Sequence, residues 1–428
     1  MKDITIKINQ LGAVRDSEIT IRPFMLFMGE SGLGKSYVSF LAHYIYTLLS
    51  SDRISHFFEE IDFNKILEDA SNGDVIMRVS AGDLFKWINS DAISYIRYLI
   101  GHDNLDGDIE IIWPFNMPEI TFTYREELEG LANSEEIIYS IDSDNFTYNK
   151  ISDSSKIDAR IFQKLIQAEL KDTVFDEFVD FSDYILPPSR GALIELTERP
   201  IFRSGMYEEF FELKAALNRP LRIKKDEDPV LTSLISQANN GNVSQTENQI
   251  VYTTSEGVTM PLTAAASSVK ELAPFTMLLG KFSLNKCSIL FEEPEAHLHP
   301  ERQQHVADLI GYALSSGCHL QVTTHSDYFI KRLNLLIRLY SLSRRSLPIE
   351  KLDSFFSDIN VVPESTINPN NINAYYLTRR DDGSTCIEKY DIAEDNMIPF
   401  DSFHKTIMRD FDISAMIEEF DASKENDN

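Results

Sequence analysis

A glycine-rich segment near the start of the chain lies between an apolar strand and an apolar helix. Residues 24–28 form a continuous apolar run, as expected for a strand buried on both faces, and residues 37–49 read as a helix without a breaker. The segment between them has the spacing G-x-x-x-x-G-K-S of a phosphate-binding loop: Gly29, Glu30, Ser31, Gly32, Leu33, Gly34, Lys35 and Ser36. We predict that its backbone N–H groups wrap phosphates, that Lys35 reaches the β and γ phosphates, and that the Ser36 hydroxyl binds magnesium.

A second group of motifs lies between residues 250 and 330. Residues 288–293 read as a buried strand that ends in two carboxylates, Glu292 and Glu293. In a P-loop protein the first acid at such a strand end orders magnesium and the second polarises the attacking water. A further apolar strand at 319–322 precedes His325, which can donate a hydrogen bond to a γ-phosphate oxygen.

The composition is that of an ordinary soluble globular protein. With 428 residues, 43% of them hydrophobic and 25% charged, the chain can form two or three domains. No stretch approaches the roughly 20 apolar residues of a membrane span, and the first residues lack the pattern of a signal peptide, so we expect a cytoplasmic protein without membrane contact. The three cysteines have no C-x-x-C spacing and are expected to act as small apolar residues.

The net charge of −28, from 68 acidic and 40 basic residues, disfavours broad binding to nucleic acid. A local basic strip is still possible, and a solvated helix or loop face is the alternative interpretation. The candidate residues fall into two groups: Arg219, Arg222, Lys224 and Lys225, and then Lys331, Arg332, Arg338, Arg344 and Arg345.

The order of these motifs resembles that of the ABC-type ATPases related to the RecF, SMC and OLD groups. Residues 292–300 read Glu-Glu-Pro-Glu-Ala-His-Leu-His-Pro, a sequence similar to that of stand-alone AAA ATPases of the OLD-like branch. Many of those proteins serve in bacterial anti-phage systems. The resemblance covers residues 1–45 and 250–330 by motif, and the remainder only through the implied fold.

The resemblance implies ATP and Mg²⁺ as cofactors and gives each motif residue a role. Lys35 and Ser36 would bind phosphate and magnesium, and Glu292 takes the Walker B position, where glutamate replaces the usual aspartate. Glu293 would be the general base and His325 the switch histidine.

The resemblance also implies that two subunits complete each nucleotide site. Ser267 and Ser268 fall at the signature motif, which contacts the nucleotide of the partner subunit, although Val269 stands where a glycine is usual. A homodimer or higher homo-oligomer is therefore expected. No glutamine can be assigned to the Q-loop, since Gln163 and Gln167 lie in an apparent helix.

The predicted fold class is α/β, namely a P-loop ABC-type ATPase head with a mainly helical insertion and a small C-terminal α+β extension. Residues 1–50 and 250–330 would form the ATPase core. Residues 51–249 would form the insertion, with the remaining core strands and a helical subdomain, and residues 331–428 the extension.

Within the insertion, the apolar spacing at 157–181 predicts a helix, and residues 184–186 read as a strand. Arg190, just after that strand, would either point into a site at the strand's carboxyl end or form a surface salt bridge. Residues 226–249 are rich in Asn, Ser, Gln and Asp and are predicted to be a flexible connection.

The region after His325 is expected to contain a helix at 328–342 and a hairpin formed by 374–378 and 386–390. Acidic residues at 418–427 predict a solvated end. No D-x-D pair set between suitable strands follows His325, so the chain is not expected to have nuclease activity of its own.

Three hypotheses about function follow. The first is a nucleotide-controlled ATPase that acts as sensor or scaffold for a separate effector protein, such as a nuclease, in an anti-phage system of the PARIS or Septu type. The second is a RecF/SMC-like ATPase that acts directly on DNA in repair. The third is a nucleotide-binding structural protein without hydrolysis.

Overall fold

The structure, a computed structural model, describes residues 1–60, 67–69, 75–131, 134–143, 146–152, 159–175, 181–219, 228–246, 249–345, 348–392, 397–399, 409 and 411–416. The strands are β1 Thr5–Leu11, β2 Val14–Thr20, β3 Phe24–Gly29, β4 Leu67–Asp69, β5 Val75–Ser80, β6 Gly107–Ile112, β7 Glu119–Leu131, β8 Ser134–Asp142, β9 Thr147–Ser152, β10 Ser182–Leu186, β11 Gly241–Gln245, β12 Ile250–Thr254, β13 Thr259–Pro261, β14 Cys287–Glu292, β15 His319–Thr324, β16 Ile372–Arg379 and β17 Thr385–Tyr390. The helices are α1 Lys35–Ser50, α2 Ile54–Glu60, α3 Ala81–Ile100, α4 Ala159–Phe175, α5 Arg190–Glu195, α6 Gly205–Leu217, α7 Pro229–Asn239, α8 Ser267–Lys281, α9 Pro300–Ser315, α10 Asp327–Ser343 and α11 Ile349–Asp358.

Nine strands form the central sheet in the order β10-β14-β15-β3-β16-β17-β2-β1-β6. The first five of these strands run parallel to one another. The register pairs Glu292 with Thr323 and Thr324 with Met28, so β14, β15 and β3 end at the same edge of the sheet. The predicted α/β class is therefore confirmed, and the three main motifs lie together at the carboxyl ends of parallel strands.

The central strands are buried because helices cover both faces of the sheet. Successive residues of β3 alternate between two hydrophobic cores: Met25 and Phe27 pack in one, whereas Leu26 and Met28 pack in the other. This burial on both faces explains why β3 and β14 read as continuous apolar runs rather than as alternating ones.

The predicted C-terminal hairpin is present, but it belongs to the central sheet. Strand β16 pairs in parallel with β3, and β17 bridges to β2. The ring of Tyr375 stacks on Phe27 at a centroid distance of 5.8 Å, and its hydroxyl accepts a hydrogen bond from the Thr20 amide. Residues from the predicted extension thus help to build the sheet that carries the P-loop.

The insertion contains more than the predicted helices. Helices α3 and α4 are accompanied by a five-stranded antiparallel sheet in the order β4-β5-β7-β8-β9, which the sequence analysis did not predict. Aromatic contacts join sheet and helix, as Phe122 meets Phe162 edge to face at 5.4 Å. The two elements thereby share one hydrophobic core.

The prediction of a flexible connection at 226–249 is wrong for the part of it that the structure describes. Helix α7 begins where the Asp228 carboxylate accepts hydrogen bonds from the amides of Val230 and Leu231. Leu231 and Leu234 are buried, and β11 then pairs with β12. The polar residues of this segment cap α7 and form its exposed face, so they do not indicate disorder. Arg222, Lys224, Lys225 and the acidic segment 418–427 lie outside the described residues.

Among the helices that the structure describes, none combines the length and the apolar character that a membrane crossing needs.

Candidate nucleotide-binding site

The P-loop begins at the end of β3 and leads directly into α1. Gly34 has the left-handed φ of 92° that the turn requires, and the N-terminus of α1 has no side-chain cap. The first N–H groups of the helix are therefore free for an outside acceptor. A helix start of this kind, with its partial positive charge, suits a phosphate group.

Lys35 is 6% exposed, and its ammonium group donates to the carbonyls of Gly29 and Glu30 at 3.0 and 2.7 Å. Burial lowers the pKa of Lys35, while Glu293 and then Glu292 act in the opposite direction. The loop thus holds a cation in contact with its own backbone, next to the free helix N-terminus.

Ser36 and Glu292 meet although they lie far apart in the sequence. The Ser36 hydroxyl donates a hydrogen bond of 2.6 Å to Glu292 Oε2, and the Ser39 hydroxyl donates one of 2.9 Å to Oε1. Burial raises the pKa of Glu292, and the hydrogen bonds from the two serines oppose that shift. Both carboxylate oxygens therefore have partners, and one partner is the serine that was predicted to bind magnesium.

Glu293 and His325 face each other near the P-loop. His325 Nε2 lies 3.7 Å from Glu293 Oε1, and the two side chains are 31% and 44% exposed. Burial and the nearby Lys35 lower the pKa of His325, so its imidazole is neutral at pH 7. Glu293 has a left-handed φ of 46°, an uncommon conformation for a residue with a side chain.

Glu295 positions the backbone of His325 through hydrogen bonds. Its Oε1 atom accepts hydrogen bonds of 2.7 Å from the Thr324 hydroxyl and from the His325 amide. Burial raises the pKa of Glu295. This role of Glu295 was not predicted from the sequence, where the only signal was its place in the Glu-Pro-Glu segment.

Arg190 is fully buried at the carboxyl end of β10, so it forms no surface salt bridge. Its guanidinium group donates to the carbonyls of Glu292 at 2.9 Å, Glu293 at 3.2 Å and Glu271 at 2.9 Å. Burial lowers the pKa of Arg190 to about 10, which leaves it charged at neutral pH. Of the two predicted alternatives, the structure supports a location at the site.

A cavity of about 700 Å³ adjoins the P-loop, and Glu293 and His325 line it. Further lining residues, which were not predicted from the sequence, come from the β1–β2 hairpin, from α1 and from the loop before β6. No local pattern marks them, because only the fold brings these loops to the P-loop. They are Gln10, Arg15, Tyr37, His102, Asn104 and Asp106.

Ser267 and Ser268 begin α8; Ser267 is exposed and Ser268 half-buried, and neither lines this cavity. Ser268 accepts a hydrogen bond of 3.0 Å from Arg302. Gln163 and Gln167 both donate to the Ser51 carbonyl, at 3.1 and 2.7 Å. These two glutamines therefore close the C-terminal end of α1, away from the P-loop.

Three of the basic candidates on α10, Lys331, Arg332 and Arg338, line one cleft beside Leu335. Arg332 also forms a bidentate pair with Asp308 at 2.7 and 2.8 Å, so a carboxylate offsets part of the positive charge there.

The donor set fits a nucleotide with magnesium. The uncapped start of α1 and Lys35 supply donors for phosphate oxygens, and the cavity has room for a nucleotide. A serine hydroxyl next to a buried carboxylate supplies the oxygen ligands that Mg²⁺ prefers.

The sheet order, the loop at residues 29–36 and the acid pair form an arrangement typical of P-loop nucleotide-binding proteins. Residues 143–330 match the AAA ATPase domain family, a span that includes both β14 and β15 but not the P-loop. This match covers less than half of the chain. The comparison with curated proteins gave no match.

The comparison with solved structures gave SMC head domains among its matches. An SMC head bound to the C-terminal winged-helix domain of ScpA has 13% identity and a TM-score of 0.39, over 92% of this chain and 98% of that one. The SMC head from Thermotoga maritima has 11% identity and a TM-score of 0.35, over 92% and 100%. The Pyrococcus furiosus SMC head bound to the C-terminal domain of ScpA has 11% identity and a TM-score of 0.38, over 96% and 98%.

Proposed function

We propose that the chain binds ATP with Mg²⁺ and hydrolyses it at the cavity beside the P-loop. The observation that carries this proposal is the 2.6 Å hydrogen bond from Ser36 to Glu292, in a site that Glu293 and His325 also line. It joins the two residues that would hold the metal, and the candidate base, Glu293, follows Glu292 directly and lines the same cavity as Ser36. The family match at 143–330 supports an ATPase domain.

Each residue has a distinct task in hydrolysis. Lys35 and the α1 N–H groups bind the phosphates, and Ser36 and Glu292 hold Mg²⁺, which supplies charge neutralisation at the phosphates when bound. Glu293 accepts a proton from the attacking water. His325, neutral at pH 7, donates a hydrogen bond to the terminal phosphate oxygen.

The Glu293→Gln variant tests this proposal because it keeps the size of the side chain but cannot accept a proton. We expect ATP binding close to that of the parent protein and a turnover at least about 100-fold lower, the usual contribution of a general base. Glu256→Gln, in the exposed turn before β13, is the control and should hydrolyse ATP normally. Undiminished turnover in Glu293→Gln would move the base to another group, with His325 the next candidate.

We further propose that two chains complete the site by bringing Ser267 and Ser268 at the start of α8 to the nucleotide of the partner. The exposed and uncapped N-terminus of α8 supports this proposal. Glu293→Gln should then dimerise on addition of ATP and Mg²⁺, as measured by light scattering. A Ser268→Tyr substitution should abolish that dimer, and persistence of the dimer would contradict the trans contact.

The biological role that we propose is control of a separate effector protein, in the manner of an anti-phage ATPase. The charge of −28 supports a basic protein partner over nucleic acid. Co-expression with the adjacent gene should give one complex, whereas the purified chain should leave DNA and transfer RNA intact. A RecF/SMC-like role on DNA remains the second candidate because Lys331 and Arg338 line one cleft. DNA affinity that falls steeply with salt would favour that role.

A further inference from the structure

The buried guanidinium group of Arg190 connects two parts of the molecule that the proposed reaction needs. One part is the end of β14, where Arg190 donates to the carbonyls of Glu292 and Glu293. The other is the first turns of α8, where Nε donates to the carbonyl of Glu271 and lies 3.8 Å from its carboxylate. A single side chain therefore touches both the loop of the candidate base and the helix that begins with Ser267.

The position of Arg190 follows from where the sheet ends. Strand β10 pairs with β14 only as far as Leu186 opposite Phe291. The carbonyls of Glu292 and Glu293 lie beyond that ladder, and the guanidinium group takes the place of the missing strand. It also lies over the ring of Phe291, 4.6 Å from the centroid.

The backbone of Glu293 is held from two sides. Its amide donates to the Thr323 carbonyl at 3.1 Å on the β15 side, and its carbonyl accepts from Arg190 at 3.2 Å on the β10 side. The left-handed φ of 46° is costly for a glutamate and persists only if neighbours enforce it. Arg190 is one of the groups that do so, together with Thr323 and the Ala296 amide, which donates to the same carbonyl at 3.1 Å.

The residue after Arg190, Gly191, is in close contact with Glu271 of α8. A Cβ atom at Gly191 would lie 2.8 Å from Glu271 Oε1 and 3.0 Å from the Glu271 amide nitrogen. Glu271 is 4% exposed, and within the described part of the chain its Oε2 atom has no hydrogen-bond partner. Movement at the start of α8 is thus transmitted to Arg190 because no space separates them.

We propose that Arg190 is a positioning residue that couples the start of α8 to the backbone of Glu293. The proposal rests on the function proposed above and adds a regulatory link to it. When a partner nucleotide engages the start of α8, Glu271 and Arg190 fix the carbonyl of Glu293 and hold its carboxylate in the hydrolytic position. Arg190 acts through Glu293 and does not itself touch ATP.

The Arg190→Lys variant tests this role because lysine keeps the charge but cannot reach carbonyls on both sides with a planar fork. We expect a dissociation constant for ATP within about threefold of the parent value and a kcat at least about tenfold lower, the signature of a defect in the chemical step. Gly191→Ala should lower kcat in the same way, since its methyl group displaces Glu271.

Arg53→Lys is the matched control. Arg53 forms a partly buried bidentate pair with Asp91, at 2.7 and 2.5 Å, remote from the P-loop. It should lower the melting temperature but leave kcat unchanged.

The outcomes separate the two proposals. A normal kcat in both Arg190→Lys and Gly191→Ala would overturn the coupling alone, provided that the parent hydrolyses ATP and Glu293→Gln does not. The coupling would also be overturned if Arg53→Lys lowered kcat as much as Arg190→Lys does. The same holds if Arg190→Lys lost ATP affinity in proportion to its fall in kcat. Absence of turnover in the parent would overturn the proposed function and the coupling together.

Discussion

Gly29, the last residue of β3, lies against the backbone of Leu377 in β16. A Cβ atom at Gly29 would lie 2.5 Å from the Leu377 carbonyl oxygen, and its φ of 129° is one that residues with side chains rarely adopt. The first residue of the P-loop therefore packs so closely against the C-terminal hairpin that only glycine has room there.

Gly29→Ala should destabilise the fold by about 2–5 kcal/mol, because overpacking against a backbone atom adds to the cost of the backbone conformation. Gly257→Ala is the control, since Gly257 also has a positive φ but has no atom within 4 Å of an added Cβ. It should cost about 1–2 kcal/mol. Urea unfolding measures the free energy of unfolding of both variants. Equal losses of stability would show that β16 does not restrict the side chain at position 29.

Lys35→Ala should remove most of the affinity for ATP without unfolding the protein. The ammonium group contacts only carbonyls of the loop itself, Gly29 and Glu30, among its hydrogen bonds in the described structure. Loss of a charge-assisted contact to phosphate should weaken binding at least about tenfold by calorimetry. Lys7→Ala, at an exposed ion pair with Glu110, should bind normally. Equal affinity in the two variants would contradict the assignment of the phosphate site.

Glu292→Gln should weaken the dependence of ATP binding on Mg²⁺. An amide keeps the volume and one hydrogen-bond acceptor but loses the negative charge that a divalent cation requires. Ser39→Ala is the matched control because it removes the 2.9 Å hydrogen bond to the same carboxylate and leaves Ser36 in place. Calorimetric titration measures the affinity for ATP in Mg²⁺ and in EDTA. The two affinities should differ in Ser39→Ala and should be equal in Glu292→Gln. Convergence in both variants would point to orientation of the carboxylate rather than its charge.

Stability should fall as the pH drops below neutrality, because the half-buried His319 resists protonation in the folded state. Burial lowers the pKa of His319 to about 4, and His319 Nδ1 lies 2.8 Å from the Tyr46 hydroxyl oxygen. Above about pH 6.5 both the folded and the unfolded states carry a neutral His319, so its contribution is constant. Between pH 6.5 and 4 the unfolded chain binds the proton and the folded one does not, so stability is lost.

The loss due to His319 between pH 7 and pH 5 should be about 2 kcal/mol, and His319→Asn should abolish that part of it. Burial also lowers the pKa of His43, so the variant should keep some acid sensitivity. His56→Asn, at an exposed position of α2, serves as the control. An unchanged pH profile of the free energy of unfolding in His319→Asn would refute the assignment.

The parts of the site that the sequence predicted are those that contiguous residues encode. The P-loop needs only a strand, a glycine-rich turn and a helix start, and Glu292, Glu293 and His325 need only apolar strands before them. Their mutual contact follows once the strands are parallel, because residues after neighbouring strands then meet at one edge.

The parts that the sequence did not reveal depend on contacts between distant segments. Arg190 looks like any loop arginine until β10 is placed beside β14. The five-stranded sheet of the insertion was missed because acidic residues interrupt the strand pattern, as in β7 from Glu119 to Leu131. Helix α7 was missed because its caps and exposed face are polar, and composition alone does not separate such a helix from a loop.

The location of β16 between β3 and β17 has a consequence for biosynthesis. One edge of the P-loop strand is paired by β15, which ends at Thr324, and the other only by β16, which ends at Arg379. On the ribosome, β3 therefore emerges early, and both of its edges stay unpaired until most of the chain has been translated. A nascent chain in that state exposes the unpaired N–H and C=O groups of an apolar strand, which favours aggregation. Folding itself will be slow because parallel pairing over so long a separation closes a large loop. Truncated translation products that contain residues 29–36 but end before β16 will lack one of the two strands that pair with β3.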